Sequence, residues 1–141
     1  MPIEYAINRV HSFLRDEGVR DKITLIASGG VRSAHDIIKA IALGADGVVT
    51  GTADLIAMSC IRCGACESGR GCARGIATTD EALRKQYDPD WGSQRVFNLF
   101  NAWNIQLRDI LARFGLASVR ELVGRTDLIT HLDYDCSEHQ D

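Results

Sequence analysis

The sequence lacks an uninterrupted apolar stretch long enough to cross a membrane. Its longest nearly uncharged run, residues 41–58, is broken by Asp46 and Asp54 and is diluted by glycine and threonine. A membrane-spanning helix needs about 20 consecutive apolar residues. The first residues, Met-Pro-Ile-Glu-Tyr, also lack the basic and apolar regions of a signal peptide. We therefore expect a cytoplasmic protein with no membrane partner.

An excess of positive charge is also missing. The 141 residues carry 16 Lys and Arg against 19 Asp and Glu, which gives a net charge of −3 with the histidines neutral. The basic side chains are scattered among acidic ones, whereas nucleic-acid-binding proteins concentrate them on one face. The composition therefore predicts no nucleic-acid partner.

Strands are few. Only residues 23–27 and 46–50 have the short, β-branched, apolar character of parallel strands that are buried on both faces. Helical spacing of apolar residues predicts helices over 2–17, from Ser33 to Gly44 and from Gly51 to Cys60. This alternation is typical of a parallel α/β sheet. Because two parallel strands do not form a stable sheet, the first half reads as the end of a larger α/β domain.

The second half of the chain predicts a helical tail. A short polar helix over 79–87 is followed by a break at 88–90 and a long helix over 92–114. Ser118 and Glu121 have the spacing of a capping box that opens one more short helix.

Each predicted strand ends in a glycine-containing turn that leads towards a helix. Ser28, Gly29 and Gly30 follow the first strand, and Gly51 and Thr52 follow the second. Ligands bind at this edge of α/β folds, where backbone N–H groups next to glycine attract anions. Either turn alone could be an ordinary loop. Together they predict one phosphate site, as after strands seven and eight of a (β/α)8 barrel.

Four of the five cysteines lie within one short loop, spaced C-x2-C-x2-C-x5-C. In a reducing compartment such a group favours a metal site or redox chemistry over disulfides. Zinc sites usually separate two CxxC pairs by about a dozen residues or more, whereas a single loop can wrap an iron–sulfur cluster. An iron–sulfur cluster is therefore favoured, with zinc and free or redox-active thiols as alternatives. The predicted ligands are Cys60, Cys63, Cys66 and Cys72. Cys136, far away in the sequence, is expected to be a free cysteine.

These features together resemble a known family. The stretch TLIASGGVRSAHDIIKAIALGADGVVTGTA, the cysteine loop after it and the motif GIATTD resemble the C-terminal end of the FMN-binding synthase domain of glutamate synthase. The shorter, archaeal-type members are the most similar. The resemblance extends from Pro2 to about Tyr134.

The resemblance implies a fold and its cofactors. The two strands would be the seventh and eighth of a TIM (β/α)8 barrel, and the five turn residues would line the FMN phosphate site. Residues 1–59 would be the end of the FMN-binding barrel, 60–78 the iron–sulfur loop and 79–141 a C-terminal helical tail.

The type of cluster stays open. The family's [3Fe-4S] cluster uses three cysteines spaced C-x5-C-x4-C. Cys60 and Cys66 match the first spacing, Cys72 follows with one extra residue, and Cys63 is additional. A [4Fe-4S] cluster with four cysteine ligands is therefore the second possibility.

The same resemblance implies part of an oxidoreductase that makes glutamate from 2-oxoglutarate and glutamine-derived ammonia. A TIM barrel needs about 250 residues, so the chain would be incomplete alone and would expose apolar strand edges and helix faces. It would be either a split subunit or a truncated reading frame. As a subunit, its partners would be another chain that supplies the rest of the barrel, a glutaminase subunit and an electron-donor protein. The catalytic residues would lie in the missing part. His11 and His35, both on helices, are expected to be solvated. The alternatives are a small iron–sulfur electron-transfer module and a zinc-stapled interaction domain.

Overall fold

The computed structural model of the chain describes residues 2–130. The prediction that Cys136 is a free cysteine and the end of the resemblance near Tyr134 lie outside the described residues. The chain forms two units, of which one is Met1–Val49 with Leu107–Asp141 and the other is Thr50–Gln106. The functional division at residues 59 and 78 stays a prediction.

The first unit begins with the predicted alternation of helices and strands. Helix α1 spans Ile3–Asp16, strand β1 spans Ile26–Ser28, helix α2 spans Ala34–Ala42 and strand β2 spans Gly47–Val49. A 3-10 turn at Arg20–Lys22 separates α1 from β1. The helices match the predicted segments closely, whereas both strands are shorter than expected.

Ser33 caps helix α2 as predicted. Its hydroxyl oxygen accepts the Asp36 N–H at 3.2 Å, and Asp36 Oδ2 accepts the Ser33 hydroxyl and the Arg32 N–H, each at 3.0 Å. The first N–H groups of α2 are thus partly satisfied by the helix's own side chains.

The two strands pair in parallel, with Ile26 opposite Gly47 and Ser28 opposite Val49. The prediction that both strands are buried is wrong, because Ile26 is 51% exposed and Val49 is 50% exposed. Between residues 2 and 130 the sheet has only these two strands. Their outer sides therefore have no neighbouring strand to cover them.

Later segments of the chain complete the core of the first unit. The last turns of the long helix that ends at Arg113, the capping-box turn at Val119–Leu122 and the 3-10 turn at Thr126–Leu128 pack near α2 and β1. Leu122 is fully shielded from solvent. The buried cluster consists of Ile7, Ala27, Ile38, Ala40, Ile41, Ala42, Ala45, Leu111 and Leu122.

His11 is buried, so the prediction that it is solvated is wrong. Its side chain is 7% exposed, and the Nε of Arg20 donates a hydrogen bond to its Nδ1 at 3.0 Å. The ring lies against two glycines. A Cβ added to Gly44 would overlap the ring, and one added to Gly124 would lie 2.7 Å from its Nε2.

Arg20 joins this histidine to the sheet. Its Nη1 donates to the Ile23 carbonyl at 2.8 Å, and its Nη2 donates to the Gly44 carbonyl at 2.8 Å and to Asp46 Oδ2 at 2.9 Å. The same carboxylate oxygen accepts the Leu25 N–H at 2.7 Å. Partial burial alone would raise the pKa of Asp46, but these hydrogen bonds outweigh it and hold the pKa below its ordinary value.

The second unit contains three helices. Helix α3 spans Thr52–Ala57, helix α4 spans Glu81–Arg84, and helix α5 spans Pro89–Arg113, the last residues of which belong to the first unit. Asp88 Oδ1 accepts the Asp90 N–H at 3.0 Å, and Pro89 is the first helical residue. The predicted break at 88–90 is therefore the start of α5, because proline fits the first helical position.

Large apolar side chains are exposed in both units, as expected for part of a larger assembly. Phe13 in the first unit and Ile61 in the second are each 61% exposed, and Phe97 is 65% exposed. From residue 2 to residue 130, no helix combines the length and apolar character that a membrane span requires.

The contact between Gly44 and His11 predicts a large loss of stability on adding one methyl group. Gly44 has a φ of 120°, so Gly44→Ala combines backbone strain with overlap of the ring and should cost about 3 kcal/mol. Gly18→Ala is the matched control, because Gly18 also has a positive φ but has open space around it, and should cost about 1 kcal/mol. Urea unfolding measures both, and equal losses would contradict the contact.

The burial of His11 also predicts a pH dependence. Burial, with Arg20 and Arg15 nearby, lowers the pKa of His11 below its ordinary value of about 6.5. As the pH falls, the histidine of the unfolded chain is therefore protonated before that of the folded chain. The free energy of unfolding is highest above about pH 6.5 and decreases below it. His11→Asn should flatten the decline in unfolding free energy between pH 7.5 and 5.5. His35→Asn, at an exposed position, should keep the wild-type slope.

Candidate cofactor site

The first glycine turn presents open backbone at the end of β1. Gly29 has a φ of 133° and Gly30 a φ of 68°, and both conformations favour glycine. A Cβ added to Gly30 would meet nothing within 4 Å. The main chain at this turn can therefore be approached closely by a ligand.

A cavity of about 150 Å³ lies beside this turn, bounded by α1, the end of β1 and α2. Its charged lining residues are Glu4, Arg32, Asp36 and Lys39. Lys39 Nζ lies 3.0 Å from Glu4 Oε1 and 4.0 Å from Asp36 Oδ1. Because the two basic and two acidic groups balance, an anion bound here would depend on backbone N–H groups more than on net charge.

The second turn opens the second unit. Gly51 precedes helix α3, has a φ of −139° and has open space where a Cβ would be. Thr50 Oγ1 donates to Asp54 Oδ2 at 2.7 Å and links the turn to the helix. Ser28, Gly29 and Gly30 belong to the first unit, and Gly51 and Thr52 to the second. The shared phosphate site stays a prediction.

The four loop cysteines are free thiols with different exposures. Cys63 and Cys66 are exposed, Cys60 is half-buried and Cys72 is only 8% exposed. In the part of the chain that the structure describes, no three His, Cys, Asp or Glu side chains are grouped as metal ligands. The ligand set therefore stays a prediction.

The backbone around Cys60 has an unusual conformation. Ser59 has a φ of 70° and Arg62 a φ of 54°, although neither is glycine. The Arg62 N–H donates to Cys60 Sγ at 3.4 Å. Left-handed non-glycine residues are uncommon and cluster at functional sites. The loop thus has a defined conformation where the first cysteine lies.

Cys72 has the most developed environment of the four. Backbone N–H groups of the next turn, that of Ala77 above all, hold the pKa of the Cys72 thiol below its ordinary value. The other donors are Arg74, Ile76 and Gly75. The thiolate is the form that ligates metals, and N–H groups directed at sulfur are typical of iron–sulfur sites.

Sequence reasoning did not find this group of N–H donors. The motif at 75–80 supported the resemblance, but its physical role depends on the fold of residues 72–77, which we call the Cys72 turn. The glycine at position 75, with a φ of 72°, was the signal in the sequence that could have indicated a tight turn there.

Comparisons with known proteins match most of the chain. Residues 1–117 match the family described as "Conserved region in glutamate synthase". The chain is 47% identical over 127 residues to "Archaeal glutamate synthase [NADPH]" of Methanocaldococcus jannaschii, which covers 90% of the chain and 25% of that protein. It is 44% identical over 124 residues to "Archaeal-type glutamate synthase [NADPH]" of Dehalococcoides mccartyi, covering 88% of the chain and 25% of that protein.

A longer relative matches the whole chain. "Glutamate synthase [NADPH] large chain" of Azospirillum brasilense is 36% identical over 141 residues, which cover 9% of that protein. The chain thus spans about a quarter of the length of the archaeal-type relatives and less of the large chain. The family match over most of its residues, with identities up to 47%, places this chain in the glutamate synthase family.

Proposed function

We propose that this chain is the C-terminal part of the FMN-binding synthase domain of a glutamate synthase. In this proposal β1 and β2 are the last two strands of a TIM (β/α)8 barrel. Ser28, Gly29 and Gly30 line the FMN phosphate together with Gly51 and Thr52. The whole enzyme is an oxidoreductase that makes glutamate from 2-oxoglutarate and glutamine-derived ammonia.

One observation carries the proposal. The family region covers residues 1–117 and therefore contains both glycine turns and all four loop cysteines. The parallel pairing of β1 with β2 supports it, because the phosphate site of such barrels follows two successive parallel strands.

The types of residue present suit the two cofactors. Cys60, Cys63, Cys66 and Cys72 would hold an iron–sulfur cluster, [3Fe-4S] or [4Fe-4S], and the N–H donors around Cys72 suit a thiolate ligand. The open backbone at Gly30 suits a phosphate, and the charge-balanced cavity beside it leaves the N–H groups as the donors. When bound, the cluster would supply single electrons and FMN would supply the hydride.

The exposed edges of the two-stranded sheet support the proposal that further barrel strands pack against this chain. Ile26 and Val49 lie half exposed on strands whose outer sides are uncovered, as expected if another part of the barrel packs there. We propose that another chain supplies those strands, and that a glutaminase subunit and an electron-donor protein complete the enzyme. A cytoplasmic location, without nucleic acid or membrane partners, is part of the proposal.

The cofactor content of the purified protein tests this proposal. After anaerobic purification the full chain, with the rest of the barrel co-expressed, should show the broad charge-transfer absorbance of an iron–sulfur cluster together with flavin bands. Cluster absorbance without flavin would favour an electron-transfer module instead. A colourless protein that contains zinc would contradict both and favour a zinc-stapled interaction domain.

Single cysteine substitutions test the ligand set. Cys72→Ser should abolish most cluster binding, because it removes the one buried thiol among the four predicted ligands. If the cluster is [3Fe-4S], Cys63→Ser should leave it intact. If it is [4Fe-4S], the substitution should convert it to [3Fe-4S], and electron paramagnetic resonance distinguishes the two. Cys136→Ser, at a position predicted to be a free cysteine, is the control. Unchanged iron and sulfide content in Cys72→Ser would contradict the assignment.

A further inference from the structure

One guanidinium group joins three segments of the first unit at the amino ends of the two strands. Arg20, in the 3-10 turn, donates from Nε to His11 Nδ1 on α1 at 3.0 Å. Its Nη2 donates to the Gly44 carbonyl at 2.8 Å and to Asp46 Oδ2 at 2.9 Å. The arginine side chain is only 15% exposed. These four residues therefore form a connected cluster, and neither proposed cofactor site uses it.

The hydrogen bond from Arg20 determines which nitrogen of the His11 ring carries the proton. An arginine side chain has donors only and stays protonated in proteins, so the nitrogen that faces it must be unprotonated. The neutral ring therefore carries its proton on Nε2, the ring atom nearest to a Cβ added at Gly124, at 2.7 Å. Burial first, and Arg20 next, hold the pKa of His11 below its ordinary value, which favours the neutral ring.

Protonation of the ring would turn this contact into a repulsion. Nδ1–H of His11 would then face Nε–H of Arg20 across the same 3.0 Å, and both groups would be positively charged. The ring lies so close to Gly44 and Gly124 that a Cβ at either glycine would crowd it, so it has little room to turn away. Arg20, whose side chain reaches solvent in part, is therefore the group that must move.

Charged groups on the neighbouring segments set the balance between the two forms of the ring. Arg20 and Arg15 disfavour the protonated ring, whereas Asp46 and the carbonyl of Gly44 favour it. Since the Gly44 carbonyl already accepts a hydrogen bond from Arg20, the protonated ring would compete with the guanidinium for it. The acceptor that stabilises the charged ring is thus taken from Arg20.

The two other described segments beside the ring add no net charge. The end of α2, residues 40–43, contains only apolar side chains. In the carboxyl-terminal segment, Arg125 follows Gly124 but donates to both carboxylate oxygens of Asp127, at 2.9 and 2.8 Å. The response of the ring to pH therefore depends mainly on the cluster at the amino ends of the strands.

We propose that His11 and Arg20 form a pH-sensitive switch at the amino ends of β1 and β2. The neutral imidazole accepts Arg20 and keeps its guanidinium on Asp46, whose Oδ2 also accepts the Leu25 N–H at 2.7 Å. The protonated imidazole displaces Arg20, and the Asp46 carboxylate loses the group that fixes it beside Leu25. The switch thus loosens the pairing of the strands at that end as the pH falls. It goes beyond the proposed function and does not depend on either cofactor.

The tautomer of His11 in the wild-type chain is the first test. Assigned nitrogen chemical shifts from the full chain with isotope-labelled histidine distinguish a ring protonated on Nε2 from one protonated on Nδ1. At about pH 7.5 the proton should lie on Nε2. A proton on Nδ1 would overturn the proposal, because that nitrogen could not accept a hydrogen bond from Arg20.

Hydrogen exchange of single backbone amides in the same chain is the second test. The protection of the Leu25 N–H, corrected for its intrinsic exchange rate, should fall as the pH is lowered from about 7.5 to 5.5. The fall should be up to about tenfold per pH unit, the limit for one proton. Ile41, buried inside α2, is the reference, because global unfolding exposes both N–H groups whereas the switch exposes only that of Leu25.

Three variants separate the role of the histidine from that of the arginine. His11→Asn places an amide oxygen where Nδ1 lies and cannot be protonated, so the Leu25 N–H should keep its protection over the same pH range. His35→Asn, at an exposed position, is the matched control and should respond as the wild type does. Arg20→Lys keeps the positive charge but lacks the planar group that reaches several acceptors at once. In this variant the Leu25 N–H should be weakly protected throughout and should not respond further to pH.

A selective loss of protection at Leu25 that requires His11 supports the switch. If the N–H groups of Leu25 and Ile41 lose protection in parallel in the wild type, His11 affects only global stability and the switch is wrong. A Leu25 N–H that stays protected after the ring is protonated would contradict it equally. If Arg20→Lys retains the wild-type response, the guanidinium does not transmit the protonation. The tautomer and the wild-type exchange do not depend on the folding of any variant.

Discussion

The guanidinium group of Arg20 holds together one end of the small sheet. It binds His11 on α1, the carbonyl of Gly44 after α2, and the carboxylate of Asp46 before β2. Because Asp46 also accepts the N–H of Leu25 just before β1, the two strands start in a fixed register. The glycine turn lies at the opposite end of β1. The unit thus places this polar network at the amino ends of the strands, whereas the glycine turn at the carboxyl end of β1 has open backbone.

Glycines serve two different needs in this chain. At Gly30 and Gly51 the space beyond the backbone is open, which suits the approach of a ligand. At Gly44, Gly75 and Gly92 the space is already filled by another side chain or carbonyl group, so the absence of a side chain permits close packing. Only the fold separates these roles, because both kinds of glycine look alike in the sequence.

Local sequence signals predicted most of the helices, whereas features that depend on contacts distant in sequence were not predicted. The Ser33 cap and the apolar spacing of α1 and α2 act within a few residues, and the structure agrees with them. His11 is buried by Gly44 and Gly124, which are distant in sequence, and no local pattern reveals such neighbours. The strands were expected to be buried because β-branched residues imply covered faces, but the covering strands are not among those described. The cysteines were predicted as ligands from their spacing, but no three possible metal ligands are grouped among the described residues, so the ligand set stays a prediction.

The first unit is discontinuous, and this sets an order of events during synthesis. Its amino-terminal segment ends at Val49, but its core is completed by Leu111 and Leu122, and Gly124 closes over His11. The second unit is one continuous segment, Thr50–Gln106, and all of it leaves the ribosome before those residues do. A growing chain can therefore fold the cysteine-bearing unit while the sheet-bearing unit still lacks part of its core. Until residue 124 emerges, the apolar face of α2 stays accessible to chaperones and to misfolding.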